Sequence, residues 1–284
     1  MSPFPESIQW NAAQYVDGLI DWLLANFQGV FDVIRLIILS FLINVNSFLQ
    51  WLPWWFVIGF VVVLGWRLQR SLLSGLIYGL LLVIIGSFGF WVHMMTTLAV
   101  VLTSVVISLA IGIPLGIFMA YNRVVETVLR PVLDAMQTMP SFVYLIPAMM
   151  FFRLGTVPAV FATTIYALPP VIRLTNLAIR SVSEAMVEAG TSFGSSPMQL
   201  LFKVQLPQAL PTIMTGINQT TMMALAMVVI SSMIGAGGLG EEVLVAINQI
   251  RPGAGFEAGV SIVILAIIID RMTQGFSERF RTGS

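Results

Sequence analysis

Long apolar stretches recur along this chain, and they restrict its fold more than any other feature. Residues 72–91, 94–120, 157–179 and 208–234 approach or exceed the roughly 20 residues that cross a bilayer core of about 30 Å. Only 9% of the 284 residues are charged, whereas a soluble domain carries roughly a quarter. The short alternating segments of a membrane β-barrel are not visible. The sequence therefore predicts an all-α, polytopic membrane protein.

Three further apolar segments bring the predicted number of transmembrane helices to about seven. They are residues 53–66, a proline-bounded stretch near 140–152, and residues 257–272. The first of them is flanked by tryptophans, which suit the headgroup level of a membrane.

The first fifty residues are more polar than the segments that follow. Residues 12–27 place apolar side chains at helical spacing opposite Asp17 and Asp21, which predicts an amphipathic helix. Residues 30–50 are more apolar, but their polar side chains fall on one side of a helix. We interpret them as an interfacial helix lying along the membrane, with a spanning helix as the alternative.

The basic residues predict the orientation. If residues 188–207 are cytoplasmic, ten of the thirteen lysines and arginines lie at or near the inner face. These ten are Arg67, Arg70, Arg123, Arg130, Arg173, Arg180, Lys203, Arg271, Arg279 and Arg281. Only Arg35, Arg153 and Arg251 are then external or interfacial. The positive-inside rule therefore predicts that this stretch and the C-terminus are cytoplasmic.

Residues 188–207, EAGTSFGSSPMQLLFKVQLP, are a polar interruption between apolar segments. We expect the preceding helix to continue from residue 176 to residue 192, with Glu184 and Glu188 one turn apart. Gly194 is placed to end it, because glycine readily adopts the left-handed conformation found after helix C-termini.

A short helix is predicted to follow. Ser196 offers an N-cap hydroxyl, and Pro197 suits the first helical position. A second sharp turn is expected at Leu206 and Pro207, because a residue before proline disfavours helix. The short helix is apolar for a cytoplasmic loop, which leaves two interpretations: it inserts into a groove of another subunit, or it folds back on its own protein or the bilayer surface.

The spacing within this stretch resembles the EAA loop of ABC importer permeases. Glu188-Ala189-Gly190 is followed after three residues by Gly194 and after nine more by Val204-Gln205-Leu206-Pro207. The family pattern is E-A-A, three residues, G, nine residues, I-x-L-P, so Gly190 replaces an alanine and Val204 an isoleucine. The resemblance implies that these residues couple the chain to an ATPase: Glu188, Ala189, Gly190, Gly194, Met198, Leu201, Phe202, Leu206 and Pro207.

A wider resemblance covers roughly residues 93–275. Residues 134–152, 166–180, 233–244 and 263–274 look like permeases of the glycine betaine/proline type. Methionine-type permeases share the loop and the GAGGLG stretch but look shorter at the N-terminus. The resemblance implies N-terminal amphipathic helices in residues 1–50, two scaffold helices in 51–92, and a five-helix importer core in 93–284.

The function implied is that of a permease subunit of an ATP-driven importer for glycine betaine or a related solute, such as proline betaine, carnitine, choline or proline. A methionine-type permease is the alternative. An ion-coupled carrier is less supported, because few charges lie at the membrane midplane and no clear repeat is present.

The implied partners are a cytoplasmic ABC ATPase, a periplasmic or extracellular binding protein, a second copy of the chain and membrane lipid, with no nucleic acid. The implied location is the bacterial plasma membrane.

No catalytic or metal site is expected in this chain, which has no cysteine and a single histidine, His93. Lys203 is the only lysine and no phosphate-binding P-loop surrounds it, so ATP and Mg²⁺ are expected on the partner ATPase.

Residues 235–240 spell G-x-G-x-x-G, but an apolar helix precedes them, so we expect irregular backbone rather than a dinucleotide site. His93 and Asp270 are expected to have structural or interfacial roles.

Aromatic side chains near the middle of the core are candidates for contacts with substrate. A quaternary ammonium group is attracted to aromatic faces. The candidates are Phe142, Tyr144, Phe151 and Tyr166, with Phe152 beside them. Aromatic residues in membrane helices more often only pack, so this assignment rests on the implied substrate.

Overall fold

The computed structural model describes the backbone of residues 12–281 and the side chains of residues 13–278, and every regular element in this range is helical. The helices are α1 Ala12–Trp51, α2 Trp54–Gln69, α3 Leu72–Ser87, α4 Trp91–Tyr121, α5 Arg123–Thr138, α6 Leu145–Phe152, α7 Thr156–Arg180, α8 Glu184–Ser192, α9 Pro197–Leu200, α10 Leu206–Ala226, α11 Val228–Ser232, α12 Leu239–Asn248 and α13 Pro252–Arg281. Two parts of the predictions lie outside the described residues: residues 1–11 of the first predicted segment, and the side chains of Arg279 and Arg281.

Four of the described helices are long and apolar enough to cross a membrane: α1, α4, α7 and α13. The pair α5 and α6 reaches that length only together, across a bend of 112°. Helices α2 and α3 are apolar but have 16 residues each, fewer than the roughly 20 that span a bilayer core. The predicted all-α membrane fold is therefore confirmed, whereas the count of seven spans stays a prediction.

The centre of the fold is the contact between α4 and α7, which run parallel. The Ser104 hydroxyl donates to the Val160 carbonyl at 3.4 Å, and one turn later the Ser108 hydroxyl donates to the Thr164 carbonyl at 3.1 Å. Further along, a Cβ at Gly116 would lie 2.7 Å from the backbone of α7. Small and hydroxylated residues thus bring the two helices close together, as is usual where membrane helices pack.

Helix α10 packs on α7, and α13 packs in turn on α10 and α12. The Asp270 carboxylate accepts hydrogen bonds from Asn218 of α10 at 2.9 Å and from Gln274 at 2.8 Å. This network ties α13 to α10, which agrees with the structural role expected for Asp270. Helices α2 and α3 form a hairpin, and a Cβ at Gly275 of α13 would touch Leu68 of α2 at 3.0 Å.

Contacts between distant segments define two ends of the helix bundle. At one end, Tyr121 at the end of α4 hydrogen-bonds Gln205, and Arg180 at the end of α7 donates to the Ala120 carbonyl. At the other end, the Gly155 amide donates to the Ile234 carbonyl at 2.8 Å. The first end contains residues 184–207 and is called here the loop end. The second is called the far end.

The two helices predicted in residues 12–50 are one helix, α1, with a kink at Phe27, where φ is −122° and ψ is 19°. Its contacts lie near the far end: Phe31 stacks on Phe151 at 4.5 Å, and Gln50 donates to Thr96 at 3.5 Å. Phe31 and Gln50 lie at the two ends of the predicted stretch 30–50, and both contact residues near the far end of the bundle. Because α1 is also long and apolar enough to cross a membrane, the interfacial and the spanning interpretations of residues 30–50 both stay predictions.

The stretch near 140–152, predicted as a span of its own, is only the second half of a bent pair. A 3₁₀ turn, Ser141–Tyr144, and the eight-residue α6 follow α5, which the sequence analysis missed. Asn122 caps α5 by accepting from the Val124 and Val125 amides, and Pro140 ends it by disfavouring helix at the preceding residue. The amphipathic, charged pattern of α5 is the reason that a search for apolar runs overlooks it.

Candidate functional site

The helix predicted to run from residue 176 to residue 192 is broken. Helix α7 ends at Arg180 and α8 begins at Glu184. Ser183 between them has ψ of 127°, an extended conformation that a continuous helix does not contain. Glu184 in the first turn of α8 interacts favourably with the helix dipole there. The prediction of one continuous helix was therefore wrong, and α8 is a separate element that carries the E-A-G sequence.

Gly194 ends α8 as predicted. Its φ is +76°, and the backbone forms both bonds of a Schellman motif. The Ser195 amide donates to the Gly190 carbonyl at 3.1 Å, and the Gly194 amide donates to the Thr191 carbonyl at 2.9 Å. The chain reverses direction at this point because glycine adopts a positive φ at little cost.

The start of α9 is also as predicted, with Ser196 as N-cap and Pro197 at the first position. The Ser196 hydroxyl accepts from the Gln199 amide at 3.3 Å, and the Gln199 side chain accepts from the Ser196 amide at 2.9 Å. This is a complete capping box. The sequence analysis missed Gln199, although Ser-x-x-Gln is itself the signal for such a box.

The second sharp turn, predicted at Leu206 and Pro207, is absent. After α9 the chain forms a π turn, Leu201–Gln205, and passes directly into α10. The Leu206 amide bonds five residues back, to the Leu201 carbonyl. In a regular helix the Pro207 ring would clash with the carbonyl four residues before it. The wider π turn gives that ring room, so the helix bends into α10 instead of stopping.

One face of this helical segment packs on the protein itself. Leu201 is buried in a cluster with Ile179 of α7 and with Ala209 and Ile213 of α10, and Leu206 packs at its edge. The segment also packs closely on α8, since a Cβ at Gly190 would lie 2.7 Å from Leu200 and 3.7 Å from Val204. Gly190 therefore permits a closer approach than the alanine of the family pattern.

The opposite face is apolar and uncovered. On this face Met198 is 66% exposed and Phe202 59%, and Phe193 at the end of the neighbouring helix α8 is 91% exposed. These three residues are called here the coupling surface. Glu188 and Ala189 on α8 and Pro207 at the start of α10 are also exposed. The two interpretations of this helix thus apply to different faces, because the inner face folds back on the protein and the outer face has no cover within the described residues.

A polar contact holds the inner face to the end of α4. The buried Gln205 side chain bonds the Tyr121 hydroxyl, and a cavity of about 430 Å³ lies beside it. Its lining includes Ala120, Arg180 and the predicted residue Glu188. Neither Tyr121 nor Gln205 was singled out from the sequence, because their pairing joins segments far apart in the chain.

The four aromatic candidates for substrate contact do not form one site. Tyr144 is buried, donates its hydroxyl to the Met136 carbonyl, and meets Tyr166 edge-to-face with ring centroids 5.7 Å apart. Phe142 is 52% exposed, and Phe151 stacks on Phe31 of α1 in a separate cluster with Phe152. Only Tyr144 and Tyr166 come together, so a role in substrate contact stays a prediction and rests on this pair.

The glycine-rich stretch lies at the far end, between α11 and α12, with irregular backbone as expected. Gly235 and Gly238 have φ of +95° and +105°. The Leu239 amide donates to the Thr97 hydroxyl of α4 at 2.8 Å, which ties this turn to the core. Nearby, His93 Nε2 lies 3.0 Å from the Glu242 carboxylate, a contact that agrees with a structural role for His93.

Residues 112–282 match the family described as binding-protein-dependent transport system inner membrane component. The chain belongs to this family. It is therefore a multi-pass membrane protein that acts as a transport subunit rather than an enzyme, and its partners include an ABC ATPase and a substrate-binding protein.

Full-length relatives are closely similar in sequence. The glycine betaine/carnitine transport permease protein GbuB of Listeria monocytogenes is 50% identical over 95% of this chain and 96% of its own length. The glycine betaine transport system permease protein OpuAB of Bacillus subtilis is 46% identical over 94% of each chain. The glycine betaine/proline betaine permease protein ProW of Escherichia coli is 46% identical over 93% of this chain and 74% of its own.

A solved structure supports the fold. An inward-facing form of the MetNI methionine ABC transporter aligns with 65% of this chain and 93% of its own, with a TM-score of 0.61 and 22% identity. At this identity the likeness shows the fold alone. The family and its near relatives, rather than this structure, bear on what the permease transports.

Proposed function

We propose that this permease carries glycine betaine, or a closely related compatible solute, across the bacterial plasma membrane. The observation that carries the proposal is its identity of 46–50% to permeases named for glycine betaine, over more than nine-tenths of its length. The methionine-type alternative is supported only by the distant similarity in fold to the methionine transporter. Transport of carnitine, choline or proline remains within the same proposal.

The energy for transport comes from the partner ATPase, which holds ATP and Mg²⁺. The coupling surface of Phe193, Met198 and Phe202 inserts into a groove of that ATPase, since an apolar helical face of this size is typical of a docking site. Two copies of the permease, embedded in lipid, enclose the pathway. Residues 184–207 are called here the coupling segment. When the paired ATPases close, the coupling segment of each permease moves with them and switches the pathway between its inward- and outward-facing forms.

Reconstitution with one component left out at a time tests this proposal. Purified permease, ATPase and binding protein are placed in vesicles with ATP inside and the binding protein outside, and labelled glycine betaine is followed. We expect accumulation only when all three are present. Accumulation without the ATPase, or driven by a sodium or proton gradient, would contradict ATP-driven import. Accumulation of methionine instead of betaine would contradict the proposed substrate and leave ATP-driven import standing.

The loop end is proposed to face the cytoplasm. Arg70, Arg123, Arg180 and Lys203 lie at this end, whereas Arg153 and Arg251 lie at turns of the far end, a distribution that follows the positive-inside rule. Single cysteines at Ser195 and Ala254 of this cysteine-free chain are expected to react with a membrane-impermeant reagent from opposite sides, Ser195 from inside. Labelling of both from the same side would rule out this topology.

A further inference from the structure

Glu126 of α5 is a buried carboxylate held between two arginines. Its side chain is only 12% exposed. One oxygen accepts from Arg130 of the same helix at 2.7 Å, and the other accepts from Arg180 of α7 at 2.6 Å. Arg180 also donates through Nε to the Ala120 carbonyl at 3.2 Å. A single carboxylate therefore joins α5, the last residue of α7 and the last turn of α4.

A second ion pair runs beside the first. Arg173, two turns before Arg180 on α7, pairs with Asp134, two turns after Glu126 on α5. The two helices are thus antiparallel here, with carboxylates from α5 and arginines from α7. Between the pairs lies a cavity of about 470 Å³, into which Asn176, itself buried, also faces. An apolar cluster that includes Leu133 of α5 and Ile172 of α7 also packs these helices together, and the two ion pairs add charged contacts beside it.

The Glu126–Arg180 contact lies close in the chain to the helices that carry the coupling surface. Arg180 ends α7, and only Ser181–Ser183 separate it from α8. At its other end α5 leads through the 112° bend to Tyr144 and α6. A displacement of the coupling segment can therefore pass to Arg180 through this short connection, alongside the contacts of Gln205 with Tyr121 and of Leu201 with Ile179. Through Glu126 it then reaches α5 and the bent pair.

We infer that Glu126 is a positioning residue for coupling: it makes α5 and the bent pair move together with the coupling segment when the ATPase closes. The inference rests on the proposed function, because it takes the coupling surface to be docked on the ATPase. Without the Glu126–Arg180 contact, the coupling segment still docks and ATP is still hydrolysed. The movement then reaches the bent pair only through the apolar cluster of α5 and α7 and is smaller, so less solute crosses for each ATP.

The test measures solute accumulated per ATP hydrolysed in vesicles that contain the ATPase and the binding protein. For Glu126→Gln we expect co-purification of the ATPase and at least half of the ATP hydrolysis, with a ratio at least tenfold lower. The exchange Glu126→Arg with Arg180→Glu keeps a carboxylate–arginine pair between α5 and α7, but it loses the Arg180 Nε bond to the Ala120 carbonyl, so it is expected to restore the ratio to within about threefold. Glu257→Gln, at an exposed carboxylate of the far end, is the control and is expected to leave the ratio unchanged.

The alternative is that these ion pairs only stabilise the fold. In that case Glu126→Gln lowers transport and ATP hydrolysis in equal proportion, or the exchanged pair assembles without restoring the ratio, and either result overturns the inference. If Glu126→Gln fails to reach the membrane, Glu126→Asp replaces it, because the shorter side chain keeps the charge but cannot reach both arginines. Accumulation by the unaltered permease without its ATPase would instead contradict the proposed function.

Discussion

Replacing Phe202 with aspartate is expected to abolish solute uptake while the permease still folds and inserts. Phe202 is 59% exposed and lies beside Met198 on the coupling surface, so a charge there can remain in water in the free permease and little packing within the chain is lost. In a docked complex the same charge would be buried against an apolar groove. Loss of a central aromatic contact costs about 2 kcal/mol or more, which weakens association roughly 30-fold. Co-purification of the ATPase, together with betaine uptake, measures the effect.

Phe202→Leu provides the matched control at the same position, since it keeps an apolar side chain without adding charge. We expect it to retain most of the ATPase binding and uptake. Equal melting temperatures for the two variants in detergent would show that neither harms the fold. If the ATPase still co-purifies with Phe202→Asp at the normal ratio, the assignment of the coupling surface is wrong.

Gly240→Ala is expected to destabilise the permease, whereas Gly237→Ala, three residues earlier in the same glycine-rich stretch, is expected to be tolerated. A Cβ at Gly240 would overlap the Val228 carbonyl oxygen and lie 2.5 Å from the Ser232 hydroxyl, so α12 would have to move away from α11. At Gly237 the nearest atom is the flexible Glu241 carboxylate, at 3.6 Å. Overpacking of this kind costs about 1–3 kcal/mol.

Thermal unfolding in detergent, followed by size-exclusion chromatography, measures this difference. We expect a clearly lower melting temperature and a lower yield of monodisperse protein for Gly240→Ala only. Equal stability of the two variants would contradict the close packing of α12 on α11. Equal loss in both would indicate that the whole stretch, rather than one contact, requires glycine.

The coupling loop was largely predictable because the interactions that shape it are local. The helix end at Gly194 depends on its own φ and on carbonyls within five residues, and the capping box at Ser196 spans three residues. Such signals are complete within a short stretch of sequence. The family spacing from Glu188 to Pro207 adds to them, so most of the candidate site could be named before the structure was known.

The predictions that failed concern the places where helices bend or end. Pro207 was expected to stop a helix, but the π turn before it absorbs the proline ring and the helix continues. The helix from residue 176 was expected to continue to residue 192, but it breaks at Ser183. Helix α5 was missed because its amphipathic pattern lacks a long apolar run. In the first two cases, propensity allows more than one backbone path, and packing against neighbouring helices selects one.

By itself, the sequence determined that this is an all-helical membrane protein with a capped coupling loop and a family-specific spacing. Composition, glycine and proline positions and caps act over a few residues, so they can be recognised without coordinates. Only the tertiary structure decided which apolar side chains of the loop are buried and which form the coupling surface. It alone paired Tyr121 with Gln205 and Glu126 with Arg180, because each pair joins segments that are distant in the chain and meet only when the helices pack together.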